Sequence, residues 1–364
     1  MIRLLIVDDS ALMRRLFNDV FTAEGDFEIA VARDGLEALE RLADFKPDVI
    51  VLDVQMPQLD GIACLDRIMV ERPTPVVMVS ALTQAGADET IRALELGAVD
   101  VVAKPSGALS LKMDRFGPQL VRAVRTASEA RISWARRLAE RVRGRTDSIA
   151  QAPPRRRRVA LKAGEAGRPA PDAAGVVVIG CSTGGPAALD AVLSELPADF
   201  PWPVVVAQHM PATFTGALAR RLDALCPLTV REVTRATPLR RGEVYIGHGD
   251  ADLLVTERPG GLAAIAAPLS DEFRWHPSVD RLMDSVMAHA APLRIVGVLM
   301  TGMGNDGAAA MARLRAAGGR TIAEAESTAV VWGMPGELVK AGGADYVEPL
   351  ERIGRRLVET VYAA

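Results

Sequence analysis

Cysteine is scarce in this chain. Three residues in 364, Cys64, Cys181 and Cys226, stand at no metal-binding or disulfide spacing, which fits a reducing compartment. Long apolar runs are also missing. None approaches the roughly 20 residues needed to cross a bilayer, and the first predicted strand begins at Ile2, where a secretory leader would otherwise stand. A cytoplasmic protein with no direct membrane insertion is therefore expected. Nor does either sign of charge dominate: 43 Lys and Arg face 46 Asp and Glu, for a net charge of -3. That balance gives no reason to invoke nucleic acid as a partner. The length accommodates two domains of about 100 to 200 residues each.

What the chain does have is a set of short, fully apolar β-branched runs that stop at polar residues. Val176-Val177-Val178-Ile179 ends at Gly180-Cys181-Ser182-Thr183-Gly184-Gly185. Continuous apolar residues without helical period predict a buried strand, and the glycines allow positive φ and close approach of backbone N–H groups. The spacing also satisfies G-x-S-x-G, which presents a serine on a sharp strand-to-helix turn. A glycine-rich turn of this kind can equally cradle a phosphate.

Two further runs bear on that choice. Val204-Val205-Val206-Ala207 ends at Gln208-His209-Met210-Pro211, and Ile295-Val296-Gly297-Val298-Leu299 leads to Thr301-Gly302-Met303-Gly304-Asn305-Asp306-Gly307. A serine, a histidine and an aspartate each follow a strand's carboxyl end, the edge at which open parallel sheets bind ligands. Serine needs a base to become a nucleophile, and the base needs a carboxylate to hold its tautomer. The chain order Ser182, His209, Asp306 matches none of the familiar hydrolase orders, so this triad is a separate arrival. Read singly, His209 could be a hydrogen-bonded structural residue and Asp306 a turn residue.

These segments resemble the chemotaxis protein-glutamate methylesterase family. The resemblance extends through Pro277-Ser278-Val279-Asp280 and Glu326-Ser327-Thr328 to Gly333-Met334-Pro335, and so covers nearly all of the chain after about Gly175. It implies catalysis by Ser182, His209 and Asp306, with Met303 and Thr183 supporting an oxyanion hole and no cofactor for the ester chemistry. The implied substrates are glutamyl methyl esters on methyl-accepting chemoreceptors, with deamidation of glutamine in some relatives. Family members carry His-Arg or His-Lys before Pro-Ser-Val-Asp; Trp275-His276 stands there in this chain.

The amino-terminal third carries its own pattern. Ile2 to Val7 stops at Asp8-Asp9-Ser10, Val49 to Leu52 stops at Asp53, Val76 to Val79 stops at Ser80, and Val99 to Ala103 leads to Lys104. Three carboxylates at neighbouring strand ends suit Mg²⁺, which prefers oxygen ligands and shields an aspartate receiving a phosphoryl group. The alternation resembles the response-regulator receiver domain over residues 1 to about 122. That resemblance implies Asp53 as phosphoacceptor; Asp8, Asp9, Asp53 and the backbone of Gln55 as metal ligands; Ser80 and Lys104 as phosphoryl-sensing groups; and a chemotaxis histidine kinase as phosphodonor. Receivers usually carry an aromatic residue where Val101 stands here.

Between the two patterns, apolar residues recur amid arginines from Leu120 to about Val142, which predicts amphipathic helix. Gly144 to Ala174, with Pro153-Pro154-Arg155-Arg156-Arg157-Arg158, cannot bury enough apolar surface to order itself. The expected architecture is thus α/β: a flavodoxin-like receiver over 1–122, a helical then disordered linker over 123–172, and a doubly wound, mostly parallel α/β esterase domain over 173–364. His248 reads as a surface-loop residue, and His289 receives no function. Arg220 and Arg221, on a predicted helix beyond His209, either attract an acidic substrate or are merely solvated. Two rival readings remain: a phosphate-binding module, which would not need His209 or Asp306, and a DNA-binding regulator using the arginine-rich linker, which predicts a helix-turn-helix pattern after the receiver that does not appear.

Overall fold

A computed structural model describes residues 1–80, 84–104, 109–130 and 175–364. In the amino-terminal part, strands β1 (Ile2–Val7), β2 (Phe27–Ala32), β3 (Val49–Asp53), β4 (Val76–Ser80) and β5 (Asp100–Ala103) form one parallel sheet in the order β2-β1-β3-β4-β5. Helices α1 (Ala11–Glu24), α2 (Gly35–Asp44), α3 (Gly61–Glu71), α4 (Gln84–Leu96) and α5 (Leu109–Ser128) connect and flank the strands. β3 and β4 are buried along their whole length, as a sheet covered on both faces requires. Each fully buried Val or Ile contributes roughly 1.5–3 kcal/mol. Ser10, Asp34 and Asp60 cap α1, α2 and α3 by accepting N–H groups of the first turn, which fixes where three of the loops end.

The carboxy-terminal part is built on β6 (Val176–Cys181), β7 (Val204–Gln208), β8 (Thr229–Val233), β9 (Thr237–Pro238), β10 (Glu243–Gly247), β11 (Asp252–Arg258), β12 (Gly261–Ala267), β13 (Ile295–Leu299), β14 (Arg320–Glu324) and β15 (Tyr346–Glu348). Seven of these pair in parallel in the order β15-β14-β13-β6-β7-β10-β8, and β11-β12-β9 make a small antiparallel sheet. Six helices complete the layers: α6 (Gly185–Leu193), α7 (Ala212–Leu225), α8 (Val279–His289), α9 (Ala308–Ala316), α10 (Met334–Lys340) and α11 (Leu350–Ala363). The strand order runs outward in both directions from β6, so a topological switch lies at its carboxyl end, where ligand crevices form in such sheets. The α/β class and the doubly wound sheet agree with the sequence reading.

The last receiver helix runs six residues past the expected boundary at 122. Its own Val124 and Ala127 are wholly buried, and that apolar contact carries the helix on to Ser128. The rest of the expected linker, from residue 131, lies outside the described residues. No helix among the described residues is long and apolar enough to cross a membrane.

Candidate active site

Register brings the three predicted residues to one edge. Cys181 pairs with Gln208 across β6 and β7, and Gly180 with Leu299 across β6 and β13, so the loops after all three strands emerge side by side. The backbone then ties them. His209 N–H donates to the Cys181 carbonyl (3.0 Å), and Ser182 N–H donates to the Thr301 carbonyl (2.9 Å). Gln208 Nε2 donates to the carbonyls of both Ser182 (2.9 Å) and His209 (3.0 Å). A Cβ at Gly185 would lie 2.0 Å from Gln208 Oε1, so only glycine lets α6 begin this close to the bridging amide.

His209 Nε2 lies 2.8 Å from Asp306 Oδ2. Asp306 is almost wholly buried, and every remaining acceptor position is used. Oδ1 accepts Ser278 Oγ–H and Asp280 N–H at 3.0 Å each, while Oδ2 also accepts Val279 N–H at 2.7 Å. Burial by itself would raise the Asp306 pKa. The hydrogen bond and charge of His209, with the two backbone donors, overcome that and hold the carboxyl below its ordinary value. His209 Nδ1 is buried and has no hydrogen-bond partner among the described residues.

The turn after β13 faces the serine. A Cβ on Gly302 would lie 2.7 Å from Ser182 Cβ, so the absence of a side chain lets this turn approach Ser182. The Gly302 carbonyl accepts Gly333 N–H (3.1 Å) and Met334 N–H (2.8 Å), which anchors the Gly302–Met303 peptide plane. Because that peptide is trans, the Met303 N–H points the opposite way. Neither it nor the Thr183 N–H takes part in a backbone hydrogen bond among the described residues. Two donors beside a serine are the requirement for holding a tetrahedral oxyanion.

Several residues here escaped sequence reasoning. Gln208, Ser278 and Asp252 are buried polar groups that organise the crevice; the sole signal for Gln208 was a polar residue ending an otherwise apolar strand. Glu324, wholly buried at the end of β14, accepts Thr301 N–H (2.8 Å) and Thr328 Oγ–H (3.0 Å), and burial pushes its carboxyl up to about 7. His276 Nδ1 lies 3.0 Å from the buried Asp252. His248, expected on a surface loop, is half-buried and lies 2.8 Å from Glu232. His289 is exposed.

At the other sheet edge, carboxylate oxygens of Asp8, Asp9 and Asp53 lie within 4.8 Å of one another, a donor set suited to a hard divalent cation. Lys104 Nζ lies 2.8 Å from both Asp8 Oδ2 and Asp53 Oδ2. Burial pushes the Asp53 carboxyl up to about 6, with Lys104 and the Gln55 backbone N–H opposing the rise and Asp8 adding to it. Ser80 is buried, its Oγ donating to the Gly86 carbonyl at 3.3 Å. Val101 is buried as well, where an aromatic residue was noted as usual.

Contacts join the two parts of the chain near both sites. Thr183 Oγ–H, next to Ser182, donates to Asp100 Oδ2 at 3.2 Å, and Thr126 Oγ–H lies 2.6 Å from Met303 Sδ. Arg220 pairs with Asp88 (3.0 Å); Arg221 pairs with Asp190 (2.6 Å) and with Glu95. Both arginines raised above as attractors of an acidic substrate are thus engaged by carboxylates of the chain itself, with α4 against α7. The receiver touches both residues expected to support the oxyanion.

Comparison with known proteins matches residues 177–357 to the family model described as CheB methylesterase and residues 4–113 to the response regulator receiver domain. The chain is 57% identical over 361 residues to a protein-glutamate methylesterase/protein-glutamine glutaminase of Rhodopseudomonas palustris, covering 99% of this chain and 98% of that one. It is 49% identical to a protein of the same name from Rhodospirillum rubrum, covering 100% and 99%. A third relative so named, from Carboxydothermus hydrogenoformans, is 42% identical, with 99% of both chains covered.

Proposed function

The chain belongs to the CheB methylesterase family, and from that premise we propose that Ser182, His209 and Asp306 hydrolyse glutamyl methyl esters while the receiver gates access to them. The enzyme is a protein-glutamate methylesterase with a response-regulator receiver. Its substrate is taken to be a methylated chemoreceptor and its phosphodonor a chemotaxis histidine kinase. The observation that carries the assignment is the His209–Asp306 pair: the carboxylate is saturated with donors, and the other ring nitrogen, Nδ1, has no hydrogen-bond partner among the described residues.

With the proton on Nε2 directed at Asp306, Nδ1 is the basic nitrogen and takes the Ser182 hydroxyl proton as Oγ attacks the ester carbonyl. Negative charge develops on the carbonyl oxygen, where the Met303 and Thr183 N–H groups can receive it; each such donor is worth about 10²- to 10³-fold in rate. As the tetrahedral adduct collapses, the imidazolium returns its proton to the methoxide and methanol leaves. Water then attacks the acyl-serine, giving up a proton to His209, and glutamate is released with Ser182 restored. A glutamine side chain reaches the same acyl-serine by losing ammonia, which accounts for the second activity in the relatives' name.

In the receiver, Asp8, Asp9 and Asp53 would hold Mg²⁺, with the Gln55 carbonyl as a further ligand. The ion would neutralise the carboxylates and the incoming phosphoryl oxygens. Lys104, already between Asp8 and Asp53, would pair with the phosphoryl group, and Ser80 would turn its hydroxyl from the Gly86 carbonyl to donate to a phosphoryl oxygen. Added negative charge there would reorganise the neighbouring β5 and α4 face and loosen the Asp100–Thr183 and Thr126–Met303 contacts. The test is methanol release from methylated receptor by wild type and Ser182→Ala, each with and without phosphodonor. Wild type should release methanol, faster with phosphodonor, and Ser182→Ala should not; release by the variant at the wild-type rate rejects the assignment.

A further inference from the structure

The catalytic imidazole is held by hydrogen bonding at one point. Nε2 meets Asp306, Nδ1 meets nothing among the described residues, and a single hydrogen bond fixes a position without fixing a plane. Histidine χ2 is intrinsically broad, so the ring could swing about the Nε2···Oδ2 axis unless a flat neighbour stopped it. Trp275 is that neighbour. Its indole lies within 6° of the imidazole plane, with ring centroids 6.2 Å apart.

The same indole reaches the oxyanion turn. A Cβ on Gly304 would lie 2.5 Å from Trp275 Cζ2, so the ring edge rests directly on the backbone one residue past Met303. The indole is itself tethered. Arg274 Cζ lies 5.3 Å from its centroid, and the residues that follow are fastened to the wholly buried Asp252 through His276 Nδ1 (3.0 Å), Ser278 N–H (2.8 Å) and Arg281 Nη1 (2.6 Å). Ser278, Val279 and Asp280 then cradle Asp306. One stretch of six residues therefore sets both the carboxylate's seat and the ring's plane.

We propose that Trp275 is a positioning residue for acyl transfer, setting the plane of His209 and its registration against the Met303–Gly304 turn. The inference rests on the triad proposed above. Proton transfer from Ser182 requires the Nδ1 lone pair, which lies in the ring plane, to point along the O–H bond, so a ring free to swing spends less time in the reactive alignment. The loss belongs to the chemical step. Substrate binding, which does not require that alignment, should be spared.

The experiment uses the full chain with phosphodonor and Mg²⁺ and compares wild type, Trp275→Leu and Trp275→Phe. Methanol release from methylated receptor gives kcat and KM, and phenylmethylsulfonyl fluoride gives the rate of Ser182 modification. Trp275→Leu, which fills space without a flat face, should lower kcat and the modification rate about 10- to 100-fold with KM within about twofold. Trp275→Phe, which keeps a flat ring, should recover both to within about threefold. If Trp275→Leu does not fold, as judged by its melting profile, Trp275→Met takes its place with the same expectation. Unchanged kcat in the leucine or methionine variant, a rise confined to KM, or a phenylalanine variant no better than leucine overturns the proposal. Wild type that releases no methanol and leaves Ser182 unmodified overturns the triad and this inference with it, whereas active wild type beside an equally active leucine variant overturns the inference alone.

Discussion

His209 turns Nε2, not Nδ1, toward Asp306, at 2.8 Å. In the familiar serine-protease arrangement the carboxylate takes the other nitrogen, so the proposed triad exchanges the roles of the two ring atoms. The consequence is testable at the carboxylate. Asp306→Asn either turns its amide N–H₂ to Nε2, which displaces the proton from that nitrogen, or turns its carbonyl there and sets the N–H₂ against the Asp280 N–H; both orientations lose the negative charge that stabilises the imidazolium. kcat for methyl ester should fall about 10³- to 10⁴-fold with KM little changed. Steady-state methanol release decides it, and retention of a tenth or more of wild-type kcat would show that Asp306 does not hold the tautomer.

The triad should also behave as one unit. Ser182→Ala, His209→Ala and the double variant should be disabled to about the same degree, because a base has nothing to activate once the nucleophile is gone. Residual ester hydrolysis measured for all three would reveal independent roles if the double variant's loss equalled the product of the single ones.

Phosphorylation needs the receiver carboxylates. Asp53→Asn should abolish labelling by phosphorylated kinase or acetyl phosphate, Asp9→Ala should do so with the fold intact, and chelation of Mg²⁺ should stop labelling of the wild type. Autoradiography or phosphate-affinity electrophoresis reads the result. Wild-type labelling of Asp53→Asn would move the phosphoacceptor elsewhere.

Asp100 accepts from Thr183, next to Ser182, so its removal should weaken the proposed closed arrangement. A hydrogen bond of about 0.5–1.5 kcal/mol corresponds to roughly a twofold to tenfold rise in the basal rate of Asp100→Ala. The phosphorylated rate should remain that of the wild type. Equal basal rates in the two proteins would place the inhibitory contact elsewhere, for instance at Thr126 and Met303.

Glu324 makes a prediction about stability and pH. Burial raises its folded-state value from 4.5 to about 7, so the folded protein holds a proton that the unfolded chain releases. The associated stability is complete below about pH 4.5 and is lost as pH rises toward 7, a difference on the order of 2–3 kcal/mol between pH 5 and pH 8. Glu324→Gln lacks that component. Its stability relative to wild type, from urea melts at a series of pH values, should therefore rise over this interval; parallel curves would contradict the buried ionisation.

Much of the site was legible in the sequence because its chemistry stands where apolar runs stop. Ser182, His209 and Asp306 each follow a buried parallel strand, and such strands announce themselves as unbroken β-branched segments. The same is true of Asp8, Asp53 and Lys104 in the receiver. What could not be read were contacts between residues distant in the chain. Thr126 and Met303 are separated by 177 positions and Thr183 and Asp100 by 83, and no local pattern couples them. The partners of Arg220 and Arg221 were hidden for the same reason: an arginine on a helix looks available until the carboxylates opposite it are known. The plane of His209 was likewise invisible, since nothing in Arg274-Trp275-His276 states which ring the indole will meet.

Gln208 separates reactivity from recognition. Its single amide measures the span between nucleophile and base against two backbone carbonyls, and a methylene at position 185 would already intrude on it. Side chains at the mouth of the crevice do not enter that measurement. A substitution there that spares this amide and the glycine facing it leaves the spacing of Ser182 and His209 unchanged.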